Sequence, residues 1–303
     1  MSGTQGFANI EAGTEIGGYR LEGLLGRGGM GAVYLAEQLS IGRKVAFKVL
    51  NPNRLRSPEK VEQFMREARI AAALQHRGLV AVHEVGTDPA SGLHYYSMEY
   101  VHARTVHTAV NQDGPFAPER ARHITLQCAE ALAHAHRQLL IHRDIKPENI
   151  LITTQNETKL ADLGLAIDIV GPQSAAAAEN SNRLLSVVGT PGWSAPEQLR
   201  NPLKTVPASD VFSLGAVFLY MLTGIEPYQG ETLLDLTVRV CTEDPRGIEE
   251  IGRAEQELIR RLMAIDIDER PQNGEEAAAL LRGGIPPETS NVRRRRPTRR
   301  RRR

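Results

Sequence analysis

The sequence predicts an α+β protein in two lobes, an antiparallel sheet with one helix followed by a mainly helical lobe. Three observations carry this. Short β-prone runs with tight connections fill residues 19–50, a single amphipathic helical stretch precedes two further runs, and from about residue 102 the apolar period is helical almost throughout.

Residues 1–18 are rich in Gly, Thr and Ala with little periodicity, and read as a flexible N-terminal arm. Residues 19–25 alternate in the manner of a strand, and 32–36 and 44–50 are further β-prone runs, so the three suggest an antiparallel meander. Ser57, Pro58 and Glu59 mark a helix start, because Ser caps free N–H groups, Pro suits the first helical position and Glu favours the positive end. That helix, to about Leu74, places Val61, Phe64, Ala68 and Ala71 or Ala72 on one side. Residues 79–85 and 94–101 read as two more strands. Helices are expected at 118–137, 209–222, 233–241, 253–265 and 274–281. The most apolar run, 211–225, is shorter than the roughly 20 residues a bilayer span needs and reads as a helix buried in the core. The expected division is an N-lobe at 19–98, a connecting segment at 99–102, a C-lobe at 103–283 and an Arg-rich tail at 284–303.

With 303 residues, 41% hydrophobic and 24% charged, the chain can bury a substantial core, which excludes whole-chain disorder. The net charge of +1 hides an asymmetry: residues 293–303 hold nine Arg and no acid, which leaves the rest at about −8. The body therefore carries no electrostatic footprint for nucleic acid. Cys128 and Cys241 fit no zinc spacing and read as free thiols in a reducing compartment. The first eighteen residues lack a secretory pattern, so a cytoplasmic location is expected.

Gly26-Arg27-Gly28-Gly29-Met30-Gly31-Ala32-Val33 is a GxGxxGxV motif, which alone is open to three readings: a dinucleotide fold, a lid over ATP phosphates, or a tight turn. A dinucleotide site needs the glycines to open a helix and an acid about 20 positions later. Here a β-prone run follows, and the corresponding region is Val45-Ala46-Phe47-Lys48. A Walker loop is excluded because no Gly-Lys-Ser/Thr follows, whereas a hairpin of glycines would let backbone N–H groups approach phosphate oxygens. Lys48 alone would be a strand lysine snorkelling to solvent. Held near phosphates it needs an anion to orient it, and Glu67 on the following helix is the candidate. His142-Arg143-Asp144-Ile145-Lys146-Pro147-Glu148-Asn149 is followed, eighteen residues after Asp144, by Asp162-Leu163-Gly164. Two carboxylates and an amide on loops suit Mg²⁺, which prefers oxygen ligands, while one carboxylate faces an attacking hydroxyl.

In this order, and with Ala195-Pro196-Glu197 after them, the motifs resemble the protein kinase superfamily, most closely the bacterial Hanks-type serine/threonine kinases, over roughly residues 19–281. The resemblance implies a two-lobed kinase-like fold using ATP and Mg²⁺, with Asp144, Lys146, Asn149 and Lys48 as catalytic residues. Lys48 would contact the α and β phosphates and pair with Glu67, Asn149 and Asp162 would hold the metal, and Asp144 would accept the proton of the substrate hydroxyl. Lys146 matches the serine/threonine branch. Gly26, Arg27, Gly28, Gly29, Met30, Gly31, Val33 and Ala46 would surround ATP, and Met98, Glu99 and Val101 would line the adenine, with Met98 limiting pocket depth. Glu197 with Arg270 would anchor the end of the activation segment, residues 162–197, and Asp210 would brace the loop around Asp144. Ser186 and Thr190, with Arg143 as the phosphate partner, are the regulatory candidates, ahead of Ser174 and Ser181. Leu163 departs from the family's usual Phe, and Trp193 from its usual Tyr.

The expected function is transfer of the ATP γ-phosphate to Ser and Thr hydroxyls of proteins, with autophosphorylation between two copies. The alternatives are a catalytically silent pseudokinase scaffold, or an adaptor drawn to anionic surfaces by the tail, which would bind anionic lipid or nucleic acid. Many bacterial relatives continue into a membrane segment, so the resemblance also implies membrane association if the natural chain extends beyond Arg303.

Overall fold

The computed structural model describes residues 10–28, 31–52, 57–163 and 191–283, with the side chains of residues 60, 63 and 67 left aside. Strand β1 (Glu15–Ile16) is followed by the expected meander of β2 (Tyr19–Gly28), β3 (Gly31–Gln38) and β4 (Arg43–Leu50), paired antiparallel in chain order. After helix α1 (Pro58–Ala73), strands β5 (Val82–Thr87) and β6 (His94–Glu99) complete a sheet of order β1-β2-β3-β4-β6-β5.

Register sorts the side chains of this sheet into two faces. Val33 lies opposite Lys48, Lys48 opposite Tyr96, and Ala46 opposite Met98. Directly opposed residues share a face, as do alternate residues along a strand, so these five side chains project together. On the other face Tyr19, Tyr34, Val45, Phe47, Val49 and Tyr95 close a separate apolar cluster with Ile16. Its aromatic rings lie 4.9 Å (Tyr19–Phe47) and 4.8 Å (Phe47–Tyr95) apart. The first face joins Phe64, Ala68 and Ala71 of α1 in the main core, which runs on into the second lobe. Ala71, not Ala72, is the buried residue of that pair.

The arm expected at 1–18 is corrected from Ile10 onward, residues 1–9 lying outside the described residues. Ile16 is buried, Gly13 N–H donates to the Leu21 carbonyl at 2.7 Å, and Gly17 N–H donates to Asp88 Oδ1 at 3.1 Å. This attachment is largely through the backbone, which needs no side-chain periodicity. Asp88 also accepts from the Ser91 N–H and hydroxyl. The strand expected at 79–85 begins only at Val82. Val80 N–H donates to the Leu160 carbonyl and Leu160 N–H to the Gly78 carbonyl, both at 2.9 Å, so this stretch spends its hydrogen bonds on the other lobe.

The second lobe holds a small sheet, β7 (Ala103–Thr105), β8 (Ile150–Thr153) and β9 (Thr158–Leu160). Its helices are α2 (Val106–Asp113), α3 (Pro118–Arg137), α4 (Pro196–Arg200), α5 (Pro207–Thr223), α6 (Leu233–Thr242), α7 (Arg253–Leu262) and α8 (Gly274–Gly283). Helix α5 contains most of the apolar run and is buried at every position from 208 to 221, as a helix apolar on all sides must be. Fully burying each of its Phe212 and Phe218 side chains contributes about 1.5–3 kcal/mol. Gly224, at φ 71°, ends it in the left-handed conformation that glycine adopts without penalty. The helix expected at 253–265 stops at Leu262, and beyond it the carbonyls of Ala264 and Ile265 accept from the Arg270 guanidinium. Among the described residues no helix is long and apolar enough to cross a membrane, and both cysteines are free thiols.

Candidate active site

The loop from His142 to Asn149 is held from below by one buried carboxylate. Asp210, in the first turn of α5, is 1% exposed and accepts the N–H groups of His142 at 2.7 Å and Arg143 at 2.8 Å. His136 Nδ1 accepts from Gly274 N–H, so its Nε2 carries the proton given to Asp210 at 3.0 Å. Burial pushes the Asp210 carboxyl upward, but the His136 hydrogen bond and the other donors outweigh it and hold the group below the usual carboxylate range. The brace fixes Arg143 at φ 68°, a left-handed conformation unfavourable for a residue with a Cβ. Gln198 of α4 closes the other side, donating to the Arg143 carbonyl at 2.7 Å.

Asp144 follows directly and is held by its own loop. Lys146 Nζ donates to its Oδ2 at 2.7 Å, and Asn149 Nδ2 donates to the same oxygen at 3.0 Å and to the Asp144 carbonyl at 2.7 Å. Its other oxygen, Oδ1, is buried and has no hydrogen-bond partner among the described residues. The carboxylate is therefore fixed in direction with one acceptor left over, which is what receiving a proton from an incoming hydroxyl requires.

Two links tie this loop to Asp162. Ala161 N–H donates to the Asn149 carbonyl at 2.8 Å, and His142 Nε2–H donates to the Ala161 carbonyl at 3.0 Å. Asp162, at φ 60°, is thus delivered beside Asn149 at the end of β9. Lys48 Nζ, 7% exposed at the residue level, reaches it across the lobes and donates to Oδ2 at 2.7 Å. The fully buried Tyr96 hydroxyl donates to Oδ1, also at 2.7 Å. Burial alone would raise the Asp162 carboxyl; the charge and hydrogen bond of Lys48, then the Tyr96 hydroxyl, bring it below its ordinary value. Burial and the Asp162 charge push the Tyr96 hydroxyl well up, so it stays protonated and donating.

Around this centre, Gly26, Arg27, Gly28 and Gly31 lie in the β2–β3 hairpin, while Gly29 and Met30 lie outside the described residues. The glycines differ in purpose. A Cβ on Gly26 or Gly28 would meet open space, whereas one on Gly31 would collide with the Val49 carbonyl oxygen, so Gly31 serves the close approach of β3 and β4. Val33, Ala46 and Met98 share the face of Lys48, and Met98 and Leu163 line a small void with Leu79 and Tyr96. Glu99 ends β6 and its carboxylate accepts from Lys159 Nζ of β9 at 3.0 Å, tying the two lobes beside the connecting segment. Val101 packs against the main core. Glu67 lies on α1, but its side chain, and with it the expected pairing with Lys48, falls outside the described residues, as do Ser174, Ser181, Ser186 and Thr190.

Glu197 and Arg270 form the expected ion pair, at 2.8 and 2.9 Å, with Ser209 donating a further bond to Glu197 at 2.6 Å. Burial works against the Glu197 carboxyl, and the Arg270 hydrogen bonds reverse the direction and lower it. Trp193 is buried in the C-lobe, its ring edge-on to Tyr220 at 5.4 Å. Sequence reasoning missed Tyr96 and His136. Tyr96 looked like one more apolar strand residue, and its signal was its register opposite Lys48.

The donor set fits Mg²⁺. Asp162 offers carboxylate oxygens, and Asn149, with Nδ2 committed to Asp144, offers its amide oxygen. Among the described residues no cluster of three or more His, Cys, Asp or Glu could enclose a metal.

A sheet lobe and a helical lobe that meet over Lys48, Asp144, Asn149 and Asp162 give the chain the two-lobed architecture of the protein kinase class. Residues 19–280 match the protein kinase domain model, and the chain belongs to the protein kinase family. It is 38% identical over 269 residues to serine/threonine-protein kinase PknB of Mycolicibacterium smegmatis, covering 86% of this chain and 42% of that protein. Against serine/threonine-protein kinase PrkC of Bacillus subtilis the identity is 33% over 267 residues, covering 87% and 40%. The chain thus spans about two fifths of the length of these curated relatives. The crystal structure of the Mycobacterium tuberculosis PknI kinase domain superposes with a TM-score of 0.68 at 23% identity, covering 90% of this chain and 98% of that one, a likeness of fold.

Proposed function

We propose that this chain is an active serine/threonine protein kinase that transfers the γ-phosphate of ATP to Ser and Thr hydroxyls, its own included. The observation that carries the reading is the Asp144 carboxylate, fixed through Oδ2 by Lys146 and Asn149 while Oδ1 remains without a partner among the described residues. Mg²⁺, when bound with ATP, supplies positive charge at the phosphate oxygens. Asp144 orients the acceptor hydroxyl and takes its proton as the oxygen attacks the γ-phosphorus, the bond from that phosphorus to the β–γ bridging oxygen breaks, and ADP leaves. Lys146 lies beside the path of the transferring phosphoryl group, and Lys48 exchanges Asp162 for the α and β phosphates. Such chemistry asks the protein for alignment and charge compensation rather than covalent help.

In the same reading Ser186 is the acceptor for autophosphorylation between two copies, with Arg143 as partner of the resulting phosphate. The Arg-rich tail adds salt-dependent attraction to anionic lipid or nucleic acid. The test is incubation with γ-labelled ATP and magnesium. Wild type is expected to incorporate label as phosphoserine and phosphothreonine, and Lys48→Met to fall to background. Equal labelling of the two proteins, or label on tyrosine alone, contradicts the proposal.

A further inference from the structure

We infer that Tyr96 is a positioning residue for metal binding, its hydroxyl holding the Asp162 carboxylate in the orientation that Mg²⁺ requires. The inference rests on the reading of Asp162 as a metal ligand made above. Tyr96 is fully buried in β6, opposite Lys48 of β4 on one side and Val85 of β5 on the other. Its ring is fixed between Phe64 of α1, with centroids 6.1 Å apart, and the Lys48 ammonium, 5.6 Å from the ring centroid. A phenylalanine would fill the same space and bring no polar atom into the core. What the hydroxyl adds is one bond, to Asp162 Oδ1 at 2.7 Å.

That bond matters because of what else holds the carboxylate. Among the described residues the other side-chain donor is Lys48, on Oδ2, and an ammonium is a point charge that leaves the carboxylate free to swing about it. Lys48 is also the group that turns to the phosphates when ATP enters. At that moment Tyr96 is the donor that still fixes the carboxylate plane. It takes one lone pair of Oδ1 and leaves the second, with all of Oδ2, for a cation. Hydrogen-bond partners of metal-ligating carboxylates act in this way, orienting a ligand they do not replace.

The experiment compares wild type, Tyr96→Phe and Asp162→Asn by titrating Mn²⁺ into each protein with a non-hydrolysable ATP analogue and following free Mn²⁺ by electron paramagnetic resonance. Tyr96→Phe keeps the ring, the fit against Phe64 and the contact with Lys48, so only the hydroxyl is lost. Its Mn²⁺ dissociation constant is expected to rise about 10- to 100-fold. Affinity for the analogue without metal should not move, and the Mg²⁺ concentration for half-maximal phosphorylation should rise in parallel, with the rate recovering at saturating Mg²⁺. Asp162→Asn should lose more. Wild-type Mn²⁺ affinity in Tyr96→Phe, beside a clear loss in Asp162→Asn, overturns the role of Tyr96 alone. Wild-type affinity in Asp162→Asn overturns the metal-ligand assignment, and this inference with it.

Discussion

Asp144→Asn lowers the rate of phosphoryl transfer by about 10²- to 10⁴-fold, the range general-base groups contribute, while leaving ATP affinity and folding stability near wild type. The reason is local. Asn retains the shape that receives Lys146 Nζ and can still accept at one oxygen, so the loop keeps its form. What disappears is the anionic Oδ1, buried and without a partner among the described residues, as the acceptor of the substrate proton. No described contact links Asp144 to the nucleotide-facing strands of the N-lobe, so the loss should fall on kcat rather than on the KM for ATP. Single-turnover phosphorylation together with an ATP-analogue titration separates the two. A variant that phosphorylates at the wild-type rate would remove Asp144 from the mechanism.

Asp210→Ala is the second large effect, and it falls on stability and turnover together. The substitution leaves the N–H groups of His142 and Arg143 and the Nε2–H of His136 without their acceptor inside the protein. Unsatisfied buried donors cost about 1–3 kcal/mol each, so urea denaturation is expected to show a loss of about 3–5 kcal/mol. With its brace gone, Arg143 has no reason to stay at positive φ, and the shift of Asp144 beside it should lower turnover by about 100-fold. The same carboxylate makes stability depend on pH. Asp210, Asp162 and Glu197 are all held below their ordinary values in the folded protein. Such groups contribute stability that is fully present above the unfolded-state values, from about pH 5 upward, and lost as pH falls through the lower folded-state values. The urea midpoint of the wild type should therefore fall on acidification below about pH 5, and Asp210→Ala should flatten part of that slope. An unchanged slope would mean the carboxylate is not stabilised as the geometry indicates.

The parts of this molecule that could be read from its residues were those in which chemistry or packing repeats along the chain. The meander of β2, β3 and β4 and the central helix α5 follow from apolar periods of two and from an apolar run too short for a membrane. Lys48, Asp144, Asn149 and Asp162 stood out as candidates because polar residues in that order and spacing seldom arise from turns and caps alone, and the fold brings Lys48 to Asp162 and Asn149 to Asp144. What stayed hidden was structure made by groups far apart in sequence. Tyr96 passes for a core residue until register sets it opposite Lys48 and 2.7 Å from Asp162. His136 passes for a helix-face residue until Gly274 and Asp210 are seen to share its ring. The segment from Ile10 to Gly18 has no periodicity because much of what binds it is backbone. Helix α2, capped by Thr105 accepting from Thr108 N–H, went unread because its eight residues are too few for a period to stand out.

The central claim is that side chains from both lobes converge on one metal-bound triphosphate. A crystal structure with Mg²⁺ and a non-hydrolysable ATP analogue tests it most directly. The account predicts the Lys48 ammonium on the α and β phosphates, the metal bound by Asp162 and the Asn149 amide oxygen, and the γ-phosphate on the Asp144 side of the cleft. Nucleotide bound elsewhere, or bound between the lobes with its metal out of reach of Asp162 and Asn149, would contradict it.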